Sequence, residues 1–157
     1  EMNLMLNHYL DFIKNEKNEN LDEVDTEFLI RQLTDNYPKL KLSQCDKRII
    51  LLRKNQISRA IANILDNADK FADNIYVDSL IIDKRWVITI EDDGPGTSLS
   101  QEQLIKPFSK GSNQLNQGTG LGLSIVQKLV KLNNGELNFD TSSHGGLKVI
   151  ISFEINN

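Results

Sequence analysis

The chain of 157 residues is 39% apolar, which suits a single globular domain with a sizeable core. Its formal net charge of −4 argues against a general basic surface for nucleic acid or anionic lipid. Cys45 is the only cysteine, which excludes an internal disulfide and a cysteine-based zinc cluster, and we expect it to be buried in a strand. No apolar run approaches the roughly 18 residues of a membrane helix.

The first 16 residues predict a helix whose apolar stripe needs a partner surface. The stripe consists of Met2, Leu6, Tyr9 and Ile13. A charged, asparagine-rich link follows from Lys14 to Asp25, and we place a domain boundary near residue 17. The segment TEFLIRQLTDNY then predicts a second helix, which Pro38 ends.

The middle of the chain predicts strands on both sides of a long helix. KLKLSQC and RIILLR are typical of two short strands, and KNQISRAIANILDNADKF is typical of the helix. NIYVDSLIID and RWVITIEDD predict consecutive antiparallel strands joined at Asp83 and Lys84. A polar stretch then extends to Gly118 and contains a short helix with a capping box at Ser100 and Gln103.

The remaining residues predict a glycine loop, a helix and a hairpin. The loop in QGTGLGLSIVQK has alternate glycines, namely Gly118, Gly120 and Gly122. The helix continues to about Asn133 and ends at the Asn134-Gly135 pair, and ELNFDTSSHGGLKVIISFEI predicts a hairpin that turns at His144. Interleaved helices and hairpins predict an α+β fold, a mixed and largely antiparallel sheet with helices on one face.

The glycine loop alone leaves two interpretations open. Backbone N–H groups at a helix N-terminus bind phosphate well, but the same pattern suits an ordinary helix entry. The dinucleotide-binding fingerprint does not fit, because the preceding KGSNQLNQ has no strand pattern. The chain also lacks the Walker pattern Gly-x-x-x-x-Gly-Lys-Ser/Thr.

Two asparagines on the long helix are candidate ligands for a hard cation. The helix has an apolar stripe formed by Ile57, Ile61, Ile64 and Ala68. Asn63, Asn67 and Lys70 share the neighbouring stripe. Helix asparagines are usually solvated surface residues, yet asparagine is a poor helix former. Two amide oxygens one turn apart, beside a lysine, therefore also fit a cation and a phosphate.

Asp92 is predicted to point into the core from the end of a strand. Alternate residues before it are Trp86, Ile88 and Ile90. Burying an unpaired charge is costly, so the carboxylate should have a partner, and the DDGPG sequence lets backbone approach a ligand there. A simple turn at Asp93-Gly94 is the alternative, but it leaves the inward Asp92 unexplained.

Taken together, the motifs over residues 25–157 resemble the catalytic, ATP-binding domain of sensor histidine kinases, within the superfamily that shares the Bergerat nucleotide-binding fold. RAIANILDNA, EDDGPG and GTGLGLSIVQ look closest to the osmosensor-type kinases. The resemblance implies a two-layer α/β sandwich with a mixed, mainly antiparallel sheet packed on helices. It implies ATP-binding residues in four sequence motifs of that family. The N box has Asn63 and Asn67 with Lys70 and Phe71, and the first glycine box has Asp92, Gly94 and Gly96. The F box has Phe108 and Lys110, and the segment of the second glycine box has Gly118, Thr119, Gly120, Leu121 and Gly122.

The resemblance also implies a role for each group. Asp92 would accept a hydrogen bond from the adenine amine. Asn67, with Asn63, would coordinate Mg2+ that bridges the phosphates of ATP, while Lys70 and Lys110 would offset phosphate charge. Asn63 and Lys70 are thus the catalytic candidates. Residues 97–117 would form a mobile lid over the nucleotide.

Some positions depart from the family pattern. Ile105 stands where the F box usually has its first phenylalanine, and Leu147 follows Gly145-Gly146 where many relatives have threonine. The family's phosphoacceptor histidine, which precedes an acidic residue on a helical hairpin, has no counterpart. His8 is followed by Tyr9 and is expected to be structural or on the surface, and His144 is expected to be exposed in its turn.

The resemblance therefore implies the catalytic domain of a two-component kinase that phosphorylates a histidine for relay to a response-regulator aspartate. Residues 1–16 would be the tail of the dimerisation and phosphoacceptor hairpin, and residues 17–157 the catalytic domain. An ATP-driven conformational machine is a rival, but Asn63 stands where ATP hydrolases of the superfamily typically have a water-activating glutamate, and an asparagine amide takes no proton at neutral pH. A serine kinase of the same fold and a non-enzymatic nucleotide sensor remain as alternatives.

Expected partners are the hairpin of the same kinase and a response regulator, without nucleic acid. The parent protein is expected to be a homodimer anchored in the inner membrane, and this domain is expected to be cytoplasmic and monomeric by itself.

Overall fold

The computed structural model describes residues 19–96 and 122–155. These residues form the following elements, in chain order: β1 (Asp22–Asp25), α1 (Thr26–Thr34), β2 (Leu40–Cys45), β3 (Ile49–Leu52), α2 (Lys54–Phe71), β4 (Ile75–Ile82), β5 (Arg85–Asp92), α3 (Gly122–Leu132), β6 (Glu136–Thr141) and β7 (Leu147–Glu154). The predicted helix at 1–16 and the short helix at Ser100 lie outside the described residues. Over these two ranges, no helix is both long and apolar enough to cross a membrane.

The main sheet has five strands in the order β2-β4-β5-β7-β6. Its β4–β5, β5–β7 and β6–β7 pairs are antiparallel, and β2 pairs with β4 in parallel. The turn between β4 and β5 is at Asp83 and Lys84, and Asp83 has a φ of 56°. The mixed, mainly antiparallel sheet of an α+β fold is thus confirmed.

The helices and the inner face of the sheet share one core. Alternate residues of β5 are buried against it, as the pattern predicted, and the largest fully buried side chains are Trp86 and Phe153. Trp86 donates its indole N–H to Ser79 Oγ at 2.8 Å, which satisfies the one polar atom of that ring. On α2 the predicted stripe of Ile57, Ile61, Ile64 and Ala68 is buried. These contacts fix α2 against the sheet.

The N-terminal part differs from the prediction in three respects. Residues 22–25, expected to belong to a link, form β1, which pairs antiparallel with β3 in a separate two-stranded sheet. Helix α1 ends at Thr34, earlier than predicted, because the chain continues as a turn in which Tyr37 N donates to Thr34 O at 3.2 Å. Cys45, expected to be buried, is only partly buried at the end of β2.

Candidate functional site

Asp92 ends β5 with its side chain directed to the inner face, as predicted. The residue is 9% exposed. One carboxylate oxygen, Oδ1, accepts hydrogen bonds from the backbone N–H groups of Gly94, at 2.9 Å, and Leu147, at 3.3 Å. Burial raises the pKa of Asp92, and the two backbone hydrogen bonds oppose that rise. Within the described residues nothing donates to Oδ2, so this oxygen is free to accept a hydrogen bond from a ligand.

Two glycines let the backbone pass close to this carboxylate. A Cβ added to Gly146 would lie 2.5 Å from Asp92 O and 2.8 Å from Gly94 N, and would also meet Oδ1. A Cβ added to Gly94 would lie 3.1 Å from Phe71 O and 3.2 Å from Asp92 Oδ1. Glycine is therefore required at Gly146, and Gly94 brings the end of α2 against the end of β5. Gly96 follows with a φ of 72°, which also favours glycine.

Asp93 points the other way and joins β5 to the segment after α2. Its Oδ1 accepts from the backbone N–H groups of Asp73 and Asn74, each at 2.9 Å, and its Oδ2 accepts from the Asn74 amide at 2.8 Å. These hydrogen bonds lower the pKa of Asp93, and the bond from the Asn74 side chain contributes most. The two adjacent carboxyl groups thus have opposite pKa shifts, because one is buried beside few donors and the other is saturated with donors.

The predicted polar stripe of α2 lies beside its buried stripe. Asn63 and Asn67 are half-buried, Lys70 is exposed and Phe71 is half-buried at the end of the helix. Neither asparagine amide forms a hydrogen bond with any residue of 19–96 or 122–155. Two half-buried amides one turn apart, without partners in this part of the chain, suit an oxygen-seeking cation. The described residues contain no group of three His, Cys, Asp or Glu that would hold a metal.

Helix α3 packs along α2 and begins at Gly122. Its C-terminal end lies at the N-terminal end of α2, because the Asn133 amide donates to Gln56 Oε1 at 2.8 Å and Arg53 bonds to Leu132 O at 3.3 Å. The N-terminus of α3 is therefore directed towards the half of α2 that carries the asparagines. A helix N-terminus attracts anions, so this orientation suits phosphate groups near them.

Three residues that the sequence did not indicate hold α2 in place. Glu19 accepts from the backbone N–H groups at the start of the helix, through Oε2 from Asn55 at 2.8 Å and through Oε1 from Gln56 at 3.0 Å. At the other end Lys39 Nζ donates to two carbonyl oxygens, at 2.9 and 3.0 Å. Tyr37 donates its hydroxyl to Asp66, next to Asn67, and burial with this contact raises its pKa. No local motif marks these residues, because each acts on a distant helix.

The remaining site predictions fall partly outside the described residues. The lid at 97–117 lies there, and so do Phe108, Lys110, Gly118, Thr119, Gly120 and Leu121. His8 lies there as well. His144 is exposed in the β6–β7 turn, as predicted. Leu147, which departs from the family's usual threonine, contributes to the site through its backbone N–H, which any residue except proline can supply.

Residues 53–157 match the family model described as histidine kinase-, DNA gyrase B-, and HSP90-like ATPase. The sensor histidine kinase CpxA of Escherichia coli is 33% identical over 102 residues, which are 62% of this chain and 22% of CpxA. This chain therefore spans less than a quarter of the length of that relative.

Solved structures show the same fold. The histidine kinase AdeS of Acinetobacter baumannii, at 22% identity, has a TM-score of 0.73 over 96% of this chain and 75% of its own. The histidine kinase domain of the E. coli osmosensor EnvZ has a TM-score of 0.66 at 28% identity, over 88% of this chain and 91% of that domain. The likeness to EnvZ extends over nearly the whole of that domain.

Proposed function

This chain belongs to the family of histidine kinase-, DNA gyrase B- and HSP90-like ATPases, as an ATP-binding catalytic domain of the sensor histidine kinase type, and we propose that it transfers the γ-phosphoryl group of ATP to a histidine. The acceptor would lie on a dimerisation hairpin, and the phosphoryl group would pass on to a response regulator. Residues 17–157 would be the catalytic domain and residues 1–16 the tail of the hairpin. The parent protein would be a homodimer anchored in the inner membrane.

The observation that carries this proposal is that Oδ2 of the buried Asp92 has no donor among residues 19–96 and 122–155. Adenine presents an exocyclic amine, which donates hydrogen bonds, and a carboxylate is an acceptor only. The two backbone donors on Oδ1 fix the orientation of the carboxylate, so Oδ2 is held ready to accept. Guanine and hypoxanthine carry a carbonyl oxygen at the same ring position, which the carboxylate would repel. This arrangement supports selection of adenine.

The phosphates would lie between α2 and the N-terminus of α3. Asn63 and Asn67 fit Mg2+ because their half-buried amides have no hydrogen-bond partner in 19–96 or 122–155, and Mg2+ commonly takes few protein ligands together with substrate phosphates. When bound, Mg2+ would neutralise charge between the phosphates. Lys70, exposed one turn beyond Asn67, would offset further phosphate charge, as would Lys110. Phe71, Phe108 and the glycines 118–122 with Thr119 and Leu121 would complete the nucleotide contacts.

Phosphoryl transfer depends on alignment and charge stabilisation more than on covalent chemistry from the protein. The chain would hold the γ-phosphorus so that an imidazole nitrogen of the hairpin attacks in line and ADP leaves. Asn63 cannot activate a water molecule as a general base, which favours transfer to histidine over hydrolysis. The lid at 97–117 would cover the nucleotide during this step.

Radiolabelled ATP tests the proposal, with this chain and a separately supplied hairpin that carries a His-Glu motif. We expect the hairpin to acquire phosphate that is labile to acid and stable to alkali, at a rate that rises with hairpin concentration, because the two parts must meet in solution. A hairpin with glutamine in place of that histidine is the control and should stay unlabelled.

Two outcomes would overturn the proposal. Acid-stable label on a serine would show the serine kinase of the same fold. Tight ATP binding with no label on any hairpin offered, even when the hairpin is fused ahead of this chain, would show the nucleotide sensor.

A further inference from the structure

The outer face of the sheet carries a group of side chains beside Asp92 that the proposed reaction does not use. Tyr76 on β4 and Glu91 on β5 are paired across the two strands. His144 in the β6–β7 turn stacks on Tyr76, with ring centroids 3.7 Å apart and planes inclined by 11°. The Ser142 hydroxyl donates to Glu91 Oε1 at 2.9 Å and accepts from the His144 backbone N–H at 3.0 Å. We name Tyr76, Glu91, Ser142 and His144 the turn clamp.

The clamp attaches the β6–β7 turn to the sheet at a point where the regular strand pairing has ended. The β5–β7 ladder ends at the pair of Glu91 and Lys148, and the β6–β7 ladder ends at the pair of Thr141 and Leu147. Residues 142–146 therefore have no ladder partner in the part of the chain that the structure describes. Bonds from Ser142 N to Gly146 O and from Gly145 N to Ser142 O shape the turn internally, but they do not attach it to the sheet.

Gly146 of this turn and Leu147, the first residue of β7, both donate to Asp92, and Gly94 is the other donor to its Oδ1. Gly146 N donates to Asp92 O at 3.1 Å, and Leu147 N donates to Asp92 Oδ1 at 3.3 Å. The second bond is longer than the 2.9 Å bond from Gly94 N to the same oxygen, so it is the weaker of the two bonds to Oδ1. Gly146 has no side chain to lock the position by contact. The turn is thus attached to the sheet by the clamp on the outer face and by the Gly146 N–Asp92 O bond next to the carboxylate.

We propose that the turn clamp positions Asp92 for recognition of the nucleotide base. By holding the β6–β7 turn against β4 and β5, the clamp keeps the Leu147 N–H on one oxygen of the carboxylate and leaves the other oxygen directed at the adenine amine. Tyr76 and His144 are positioning residues, because they act through the turn and touch neither substrate nor reacting atoms. The inference rests on the assignment of Asp92 to adenine under the proposed function.

Calorimetry with ADP and inosine diphosphate, both with Mg2+, tests the clamp in this chain. We expect His144→Ala to weaken ADP binding by up to roughly tenfold, because the free energy of one ring stack limits the cost of misplacing the turn, with a much smaller change for inosine diphosphate. The ratio of the affinity for ADP to that for inosine diphosphate should therefore fall. His144→Phe keeps a flat ring and should restore both the affinity and the preference. Ile82→Ala, an exposed change at the far end of β4, is the matched control and should alter neither.

Amide hydrogen exchange at Leu147 in the ligand-free protein gives a second readout. His144→Ala and Tyr76→Leu should both speed exchange there, while His144→Phe should keep it slow. A wild-type preference for ADP that His144→Ala leaves unchanged, with unchanged exchange at Leu147, would overturn the clamp alone. A wild-type chain without any preference for ADP would overturn the assignment of Asp92, and this inference with it.

Discussion

Replacing Asp92 by asparagine is expected to raise the stability of the fold while it lowers the affinity for ATP. Burial raises the pKa of Asp92, so the folded state disfavours the charged form. A group whose pKa is raised on folding stabilises the protein below its unfolded-state value, and this contribution is lost as the pH rises through the folded-state value. At neutral pH the buried carboxylate therefore costs stability. Asparagine removes the charge, and its Oδ1 can still accept from Gly94 and Leu147.

The magnitudes follow from the contacts. Replacing the acceptor Oδ2 by an amide N–H2 sets a donor against the adenine amine, and such a loss costs about 1–3 kcal/mol. That range corresponds to roughly 5- to 150-fold in Kd. For a domain of this size each kcal/mol of added stability raises the melting temperature by about 2–4 °C. The expected loss of affinity is large enough to measure by calorimetry, and the change in melting temperature gives the sign of the stability effect.

Calorimetry with ADP and thermal melts over a pH series measure both effects of Asp92→Asn. The melting temperature of the variant should exceed that of the wild type at pH 7, and the gap should close as the pH falls to the unfolded-state value of 3.8. A variant that melts lower at pH 7 would refute the argument from burial. Wild-type affinity in the variant would remove Asp92 from the site.

Three further changes follow from the same contacts. Gly146→Ala should abolish most ADP binding in calorimetry, because the new Cβ displaces the Asp92 carboxylate; unchanged affinity would show that the turn can move away at no cost. Asn67→Ala should weaken ATP binding chiefly when Mg2+ is present and leave adenosine binding nearly unchanged, whereas equal losses would mean a disturbed helix. Asp93→Ala should lower the melting temperature at pH 7, because its lowered pKa gives stability above 3.8 that is lost as the pH falls through the folded-state value; a deficit that persists in acid would point to packing instead.

Local pattern predicted the elements that position the site. The alternation from Trp86 to Asp92 identified both the inner face of β5 and the inward carboxylate, because side chains of a strand alternate strictly between two faces. The helical spacing of Ile57, Ile61 and Ile64 likewise identified the buried side of α2, and thereby the side on which Asn63 lies.

Long-range contacts could not be predicted in this way. Strand β1 has a single buried apolar residue, Val24, so its sequence has no strand signal, and its pairing with β3 depends on tertiary structure. Leu147 N reaches Asp92 from 55 positions away, and Lys39 reaches the end of α2 from 33 positions before Ala72. Which groups contact a buried charge depends on the tertiary structure. The alternation of residues along a strand shows only that a buried charge needs such a contact.

Among residues 19–96 and 122–155, the sheet order leaves β2 and β6 as the two edges of the five-stranded sheet. An edge strand with unpaired backbone groups can recruit a strand of another molecule and start aggregation. In β2 the register shifts between Leu42 and Gln44, and the exposed Lys41 adds a charge. Strand β6 exposes Glu136 and Asp140. An irregular edge with a lysine and an edge with two carboxylates therefore both oppose intermolecular strand addition, and removing these charges should promote it.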